Sequence, residues 1–259
     1  VLLDGMVIYN PFHSIGFFSV FETDFIKNVD VHTGGFGAEF GGRISAVVDI
    51  KTRDGNKTRF AGKISGSPFM GKILLEGPIS KLKDDKGTSS FMLAAKHSDL
   101  DKTSRSIYSY VNNGETLNSA STKGIPYSFT DVYGKLALST KQGNKVNIFG
   151  FNYKDSVNFT DVTSFNWKSL GFGSNFVVVP GGTNVLINGT FAYSNYRMRF
   201  NEADEDPRTS FVGGFNLGVD LTYFIPAGEI QYGFEVNGFK TDFNFFNQLG
   251  LKVEQTQFT

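Results

Sequence analysis

The chain has 259 residues, a formal net charge of zero, no cysteine, 40% hydrophobic and 15% aromatic residues. The balanced charge offers no basic stripe for nucleic acid, and the lack of cysteine removes disulfide frameworks and thiolate chemistry. No apolar run approaches the roughly 18 residues of a transmembrane helix, which leaves open a barrel whose strands show only alternation.

The N-terminus, Val1-Leu2-Leu3-Asp4, has neither a basic region nor an apolar core, so no signal peptide is visible and it reads as the middle of a strand. Residues 1–9 alternate well enough for one strand, and Asn10-Pro11 signals a turn. Ser19 and Glu22 have capping-box spacing, with Phe21 and Phe25 at helical spacing, which predicts a short helix over 19–27. A strand is expected over 28–32, then a glycine cluster (Gly34, Gly35, Gly37, Gly41, Gly42) ending at Arg43, then a strand over 44–52. In that strand Ile44, Ala46, Val48 and Ile50 alternate with Ser45, Val47, Asp49 and Lys51. A phosphate loop would need G-x-G-x-x-G opening a helix, or a following lysine; Phe40 stands at the third glycine and a strand follows. The glycines are therefore expected to supply positive-φ turns and close backbone approach.

These residues also carry a resemblance. Leu3-Asp4-Gly5, Tyr9-Asn-Pro-Phe-His13, Gly16-Phe-Phe-Ser19, Gly34-Gly35-Phe36, Glu39-Phe-Gly-Gly-Arg-Ile-Ser45 and Asp49-Ile-Lys-Thr52 resemble the second half of the plug domain of TonB-dependent outer-membrane receptors. The Asn-Pro-Phe-His variant is similar to the subgroup with an N-terminal carboxypeptidase-regulatory-like domain. It differs from the starch-utilisation type, so the resemblance does not extend to a lid lipoprotein. It implies residues 1–55 as the back of a plug and 56–259 as the first strands of a barrel in a Gram-negative outer membrane. TonB would deliver energy through a segment before Val1, and the partners would be a solute, membrane lipid and other outer-membrane proteins. No cofactor is implied.

Beyond residue 56 the texture is strand after strand. Val132, Gly134, Leu136 and Leu138 alternate with Tyr133, Lys135, Ala137 and Ser139; Leu217, Val219, Leu221 and Tyr223 alternate with Asn216, Asp220 and Thr222. Such alternation fits a soluble sheet with its apolar face inward or a barrel with it outward. Connection lengths favour the barrel: the turns at 141–144, 180–183 and 225–228 fall on one side, and longer loops at 98–128, 160–169 and 201–210 on the other. The connections at 77–89, long for the short side, and at 67–70, short for the long side, are exceptions. About nine strands are countable, too few and odd for closure, since such barrels have even numbers. The fold class expected is mainly all-β: a segment of a large antiparallel transmembrane barrel preceded by half of an α+β plug.

Catalysis has no support, because His13, His32 and His97 lie far apart and no hydrolase or metalloprotease motif occurs. A solvated loop is the reading of the acidic run Glu202, Asp204, Glu205 and Asp206. In the loop 98–128, Tyr108, Tyr110, Asn112, Asn113 and Tyr127 combine flat rings with amide and hydroxyl groups, suited to neutral polar ligands such as glycans or peptides. Arg43 needs a partner if enclosed; the lumen-side carboxylates Asp220 and Glu235 would make a plug-to-barrel latch, with a plug carboxylate or turn carbonyls as the alternatives. The function expected is solute uptake, with a structural outer-membrane role and a soluble β-rich binding module as alternatives.

Overall fold

The computed structural model describes residues 1–13, 16–41, 44–80, 87–107, 125–159, 163–202, 206–246 and 252–259. The N-terminal lobe starts with a hairpin, not the single strand expected. β1 (Leu2–Leu3) and β2 (Met6–Val7) pair antiparallel across Asp4 and Gly5, whose φ values are 50° and 90°. Positive φ at both central positions matches the right-handed twist of a two-residue hairpin, and Asp-Gly is the pair that tolerates it best. β3 (Phe12–His13) and β4 (Phe18–Ser19) form a second small hairpin.

The helix expected over 19–27 is absent. Ser19 belongs to β4, and only a 3-10 turn forms, at Thr23–Phe25, before β5 (Ile26–His32). Ser19 Oγ accepts the Phe21 N–H at 3.1 Å, while the Glu22 carboxylate meets Lys72 at 2.9 Å instead of closing a capping box. A long-range ion pair has taken the carboxylate that the local motif needed. β6 (Val47–Thr52) begins later than expected; Ile44 lies outside it, fully exposed, and Val47 is buried on the opposite face from that predicted to be apolar. The lobe's sheet has the order β2-β1-β6-β5, with β1 parallel to β6.

A ten-stranded sheet follows, each strand antiparallel to its neighbour in sequence. Its strands are β7 (Ala61–Gly66), β8 (Gly71–Ser80), β9 (Thr88–Asp99), β10 (Tyr127–Ser139), β11 (Lys145–Phe159), β12 (Thr163–Val178), β13 (Val185–Glu202), β14 (Arg208–Ile225), β15 (Gly228–Phe246) and β16 (Lys252–Phe258). The count exceeds the expected nine by β16, whose Glu254, Gln255 and Gln257 hide its alternation. Trp167, expected in a loop, lies inside β12. The long connection after β9 opens with an unexpected helix, α1 (Leu100–Ile107), which carries Asp101 in its first turn, where acidic side chains complement the helix dipole.

One face of this sheet holds the lobe, and its chemistry is inverted relative to a soluble sheet. Along β10, Phe129, Asp131, Tyr133, Lys135 and Ala137 are buried, while Val132, Leu136 and Leu138 are exposed. β11 repeats this, burying Asn147, Phe149, Phe151, Tyr153 and Asp155 and exposing Val146 and Ile148. Further strands expose Phe172, Phe191, Phe215, Leu217, Tyr232 and Phe234 on the same outer face. The shared core lies between lobe and sheet: Leu3, Met6, Ile8, Phe25 and Ile50 meet Tyr133, Phe149, Phe151 and Ala192. Gly171 and Gly173 make room for it, since a Cβ on Gly171 would sit 2.4 Å from the Phe151 ring and 3.2 Å from Met6 Sδ.

Candidate functional site at the seam of lobe and sheet

The lobe is held against the sheet by polar clusters rather than by apolar contact alone. The first centres on Asp4, placed by the β1–β2 turn. Its carboxylate accepts the Thr52 N–H (3.0 Å), the Thr52 hydroxyl (2.6 Å) and the Tyr133 hydroxyl (2.7 Å). Lys135 Nζ lies 3.6 Å from Asp4 Oδ1 and donates to Thr52 O and Oγ1 at 3.1 and 2.8 Å. Asp4, Thr52 and Lys135 are all buried, and a buried charge pair is tolerable only when its remaining donors and acceptors are satisfied, as here.

The second cluster centres on His13 at the outer end of β3. Nε2 lies 2.8 Å from Asp131 Oδ2 and Nδ1 lies 3.4 Å from Asp155 Oδ2. The ring stacks on Phe129 at 4.3 Å, and Tyr153 meets it edge-on. Lys96 bonds Asp131 at 3.1 Å and donates to Ser19 O at 2.7 Å. Burial opposes the charged imidazole, but hydrogen bonds and charges from Asp131 and Asp155 outweigh it and raise His13 above its ordinary value.

A third group lies around the connection to β7. Arg53 forms a two-pronged pair with Glu76 and donates to Asp24 O at 2.8 Å. Asp24 pairs with Lys63 at 2.6 Å. Asp54 pairs with Lys145 (2.7 Å) and Lys57 (3.0 Å). Burial raises its carboxyl, but the two ammonium groups prevail and hold it below the ordinary range.

The residues singled out in the sequence fare unequally. Arg43 and Gly42 lie outside the described residues, so the expected latch has no geometry; Glu235 accepts a bond from Asn216, and Asp220 is exposed on β14. Gly34 and Gly35 have the positive φ expected (157° and 63°), whereas Gly37 and Gly41 have negative φ. The close backbone approach expected of the glycines is missing at Gly34 and Gly35, which are exposed with open space around them. Tyr108, Tyr110, Asn112 and Asn113 lie outside the described residues, as do Asp204 and Glu205. Glu202 pairs with Arg208 at 3.4 Å.

Tyr127 stands at the start of β10, its ring 5.9 Å from Phe17, which is 72% exposed. On the same end, Phe165, Trp167 and Phe200 form a ring group on the inner face, and a cleft runs between Asn10 and Phe12 of the lobe and Trp167 and Tyr196 of the sheet. His13 and Asp155 line that cleft. Asn10 donates to the Tyr196 hydroxyl at 3.3 Å across it, and the space between has room for about one water molecule. Sequence reading missed His13 as a site because its partners are 118 or more residues away; the only signal was its place in Asn-Pro-Phe-His.

No protein-family model matches the chain, and no curated protein matches it. Among solved structures it is similar to the hemophore receptor HasR of Serratia marcescens, solved as a double mutant with its hemophore HasA and heme. The TM-score is 0.52 at 9% identity, over 88% of this chain and 33% of that one. The chain thus spans about a third of that receptor's length, and the likeness is one of fold: the mainly all-β, antiparallel fold expected from the sequence.

Proposed function

We propose that the chain is part of a TonB-dependent receptor of the outer membrane, with residues 1–55 as the back of its plug and residues 56–259 as part of its barrel. A solute is taken at the end carrying the longer connections and passes inward when the plug is displaced by energy delivered through TonB. The observation that carries this reading is the inverted sheet. Charged and amide side chains are enclosed against a compact lobe, while Leu, Val and Phe cover the outer face, which suits a wall with lipid outside and a filled lumen inside. The similarity to a receptor that binds a hemophore and heme is in keeping with it.

The test has two parts. A cysteine at Asn113 reacts with an impermeant thiol reagent on intact cells and a cysteine at Gly143 does not; the chain has no native cysteine to confuse the label. Deleting the gene, or TonB, abolishes uptake of the same solute in a panel of labelled glycans and peptides. Labelling at Gly143 alone reverses the topology. An unchanged uptake panel with a disrupted outer-membrane assembly assigns the structural role instead.

A further inference from the structure

His13 is 2% exposed, yet both of its ring nitrogens face carboxylate oxygens, on Asp131 of β10 and Asp155 of β11. An ionised carboxylate only accepts hydrogen bonds, and a neutral imidazole has a single N–H. The doubly protonated ring suits this arrangement best: with one proton removed, a nitrogen lone pair would face Asp131 at 2.8 Å or Asp155 at 3.4 Å. Two carboxylates beside one ring also favour its charged form electrostatically. Among the described residues, Phe129 is stacked beneath the ring and the Tyr153 ring meets its edge. Lys96 itself ties Asp131 to the lobe through Ser19 O.

We infer that His13 is a proton-dependent tether, joining the N-terminal lobe to strands β10 and β11 while charged and letting that end of the lobe loosen when neutral. The tether lines the narrow cleft between Phe12 and Trp167, where lobe and sheet meet. This rests on reading the lobe as a plug. The sign follows from linkage. His13 is raised above its ordinary value in the folded state. Its contribution is thus complete below the unfolded value of about 6.5 and is lost as pH rises through the raised one.

The experiment is amide hydrogen exchange on the full-length protein in detergent micelles between pH 5.5 and 9.5, corrected for intrinsic exchange and read over residues 10–21. In the wild type, the opening constant of this segment is flat at acidic pH. It then rises by up to about tenfold per pH unit, levelling off above the raised value. His13→Gln opens more readily and without this pH dependence. His13→Arg, permanently charged, keeps the alkaline end closed relative to the wild type. A flat wild-type profile, or a His13→Gln profile parallel to the wild type, overturns the tether. Because the readout needs no transport, such a failure leaves the uptake proposal standing, and loss of uptake dependence on TonB leaves the tether standing.

Discussion

Asp4 and Lys135 face each other at 3.6 Å in a site where both side chains are almost wholly enclosed, one from the first hairpin of the chain and the other from the middle of β10. Removing the ammonium strands a buried carboxylate with only Thr52 and Tyr133 to satisfy it. Lys135→Met is expected to weaken seating of the lobe by about 3 kcal/mol, the lower end for a broken buried pair. Adding Asp4→Asn recovers part of the loss. Pulse proteolysis across a urea series measures it, and a shift below about 1 kcal/mol makes the pair incidental.

Leu217 and Asn216 are neighbours on β14 with opposite outlooks. Leu217 is exposed on the apolar outer face, while Asn216 turns inward and donates to Asn237 at 2.9 Å. Arginine on a lipid face near mid-bilayer costs about 2–4 kcal/mol. Leu217→Arg is expected to deplete the folded, heat-modifiable band in outer-membrane fractions, and Asn216→Arg to spare it. Equal yields of the two would place water, not lipid, outside the sheet.

Gly5 has φ +90°, and a Cβ there would sit 2.9 Å from Thr190 Cγ2 on β13. Left-handed backbone costs an L-residue about 1–2 kcal/mol before any clash. Gly5→Ala is therefore expected to lower the urea midpoint of the lobe by at least that equivalent and to disturb the Asp4 hydrogen bonds beside it. An unchanged midpoint would mean the turn can re-form in another geometry.

Asp54 supplies an acid-side signature opposite in sign to that of His13. Its carboxyl is depressed by Lys145 and Lys57 despite partial burial. Its stabilising contribution is present above the ordinary carboxylate value near 3.8 and is lost as pH falls through the depressed one. Melting temperatures of the wild type and Asp54→Asn are expected to differ at pH 6 and to converge in strong acid. A gap that persists at pH 2 assigns the difference to shape instead of charge.

The strands of the large sheet were legible because their outer face is apolar and exposed while the inner one is mixed and, in the middle of the sheet, covered by the lobe, which writes a period of two into Val132–Leu138 and Leu217–Tyr223. β16 was not, because Gln and Glu occupy positions on both of its faces. The local motifs misled where long-range partners outbid them: Glu22 looked like half of a capping box and serves Lys72. The alternation of residues 1–9 hides the turn at Asp4-Gly5, because a two-residue hairpin keeps a period of two on either side of it. The ion pairs of the seam were beyond sequence reading altogether. Arg43 was named for a latch, but an arginine pairing with a sheet carboxylate occurs at Arg53 and Glu76, and nothing in spacing selects one arginine over the other.

Every strand of the ten-stranded sheet bonds only to strands next to it in the chain, whereas the lobe's bonds reach across 118 residues from His13 to Asp131 and 187 from Val7 to Ser194. Closing such long loops is slow and comes late relative to zipping adjacent hairpins. The lobe is thus made before the strands it packs on and finds its partners after them: its bond to Ser194 forms only once β13 has joined the sheet. Until then Leu3, Met6, Ile8 and Phe25 have no wall to cover them, and the unassembled chain carries apolar surface of the kind that drives aggregation.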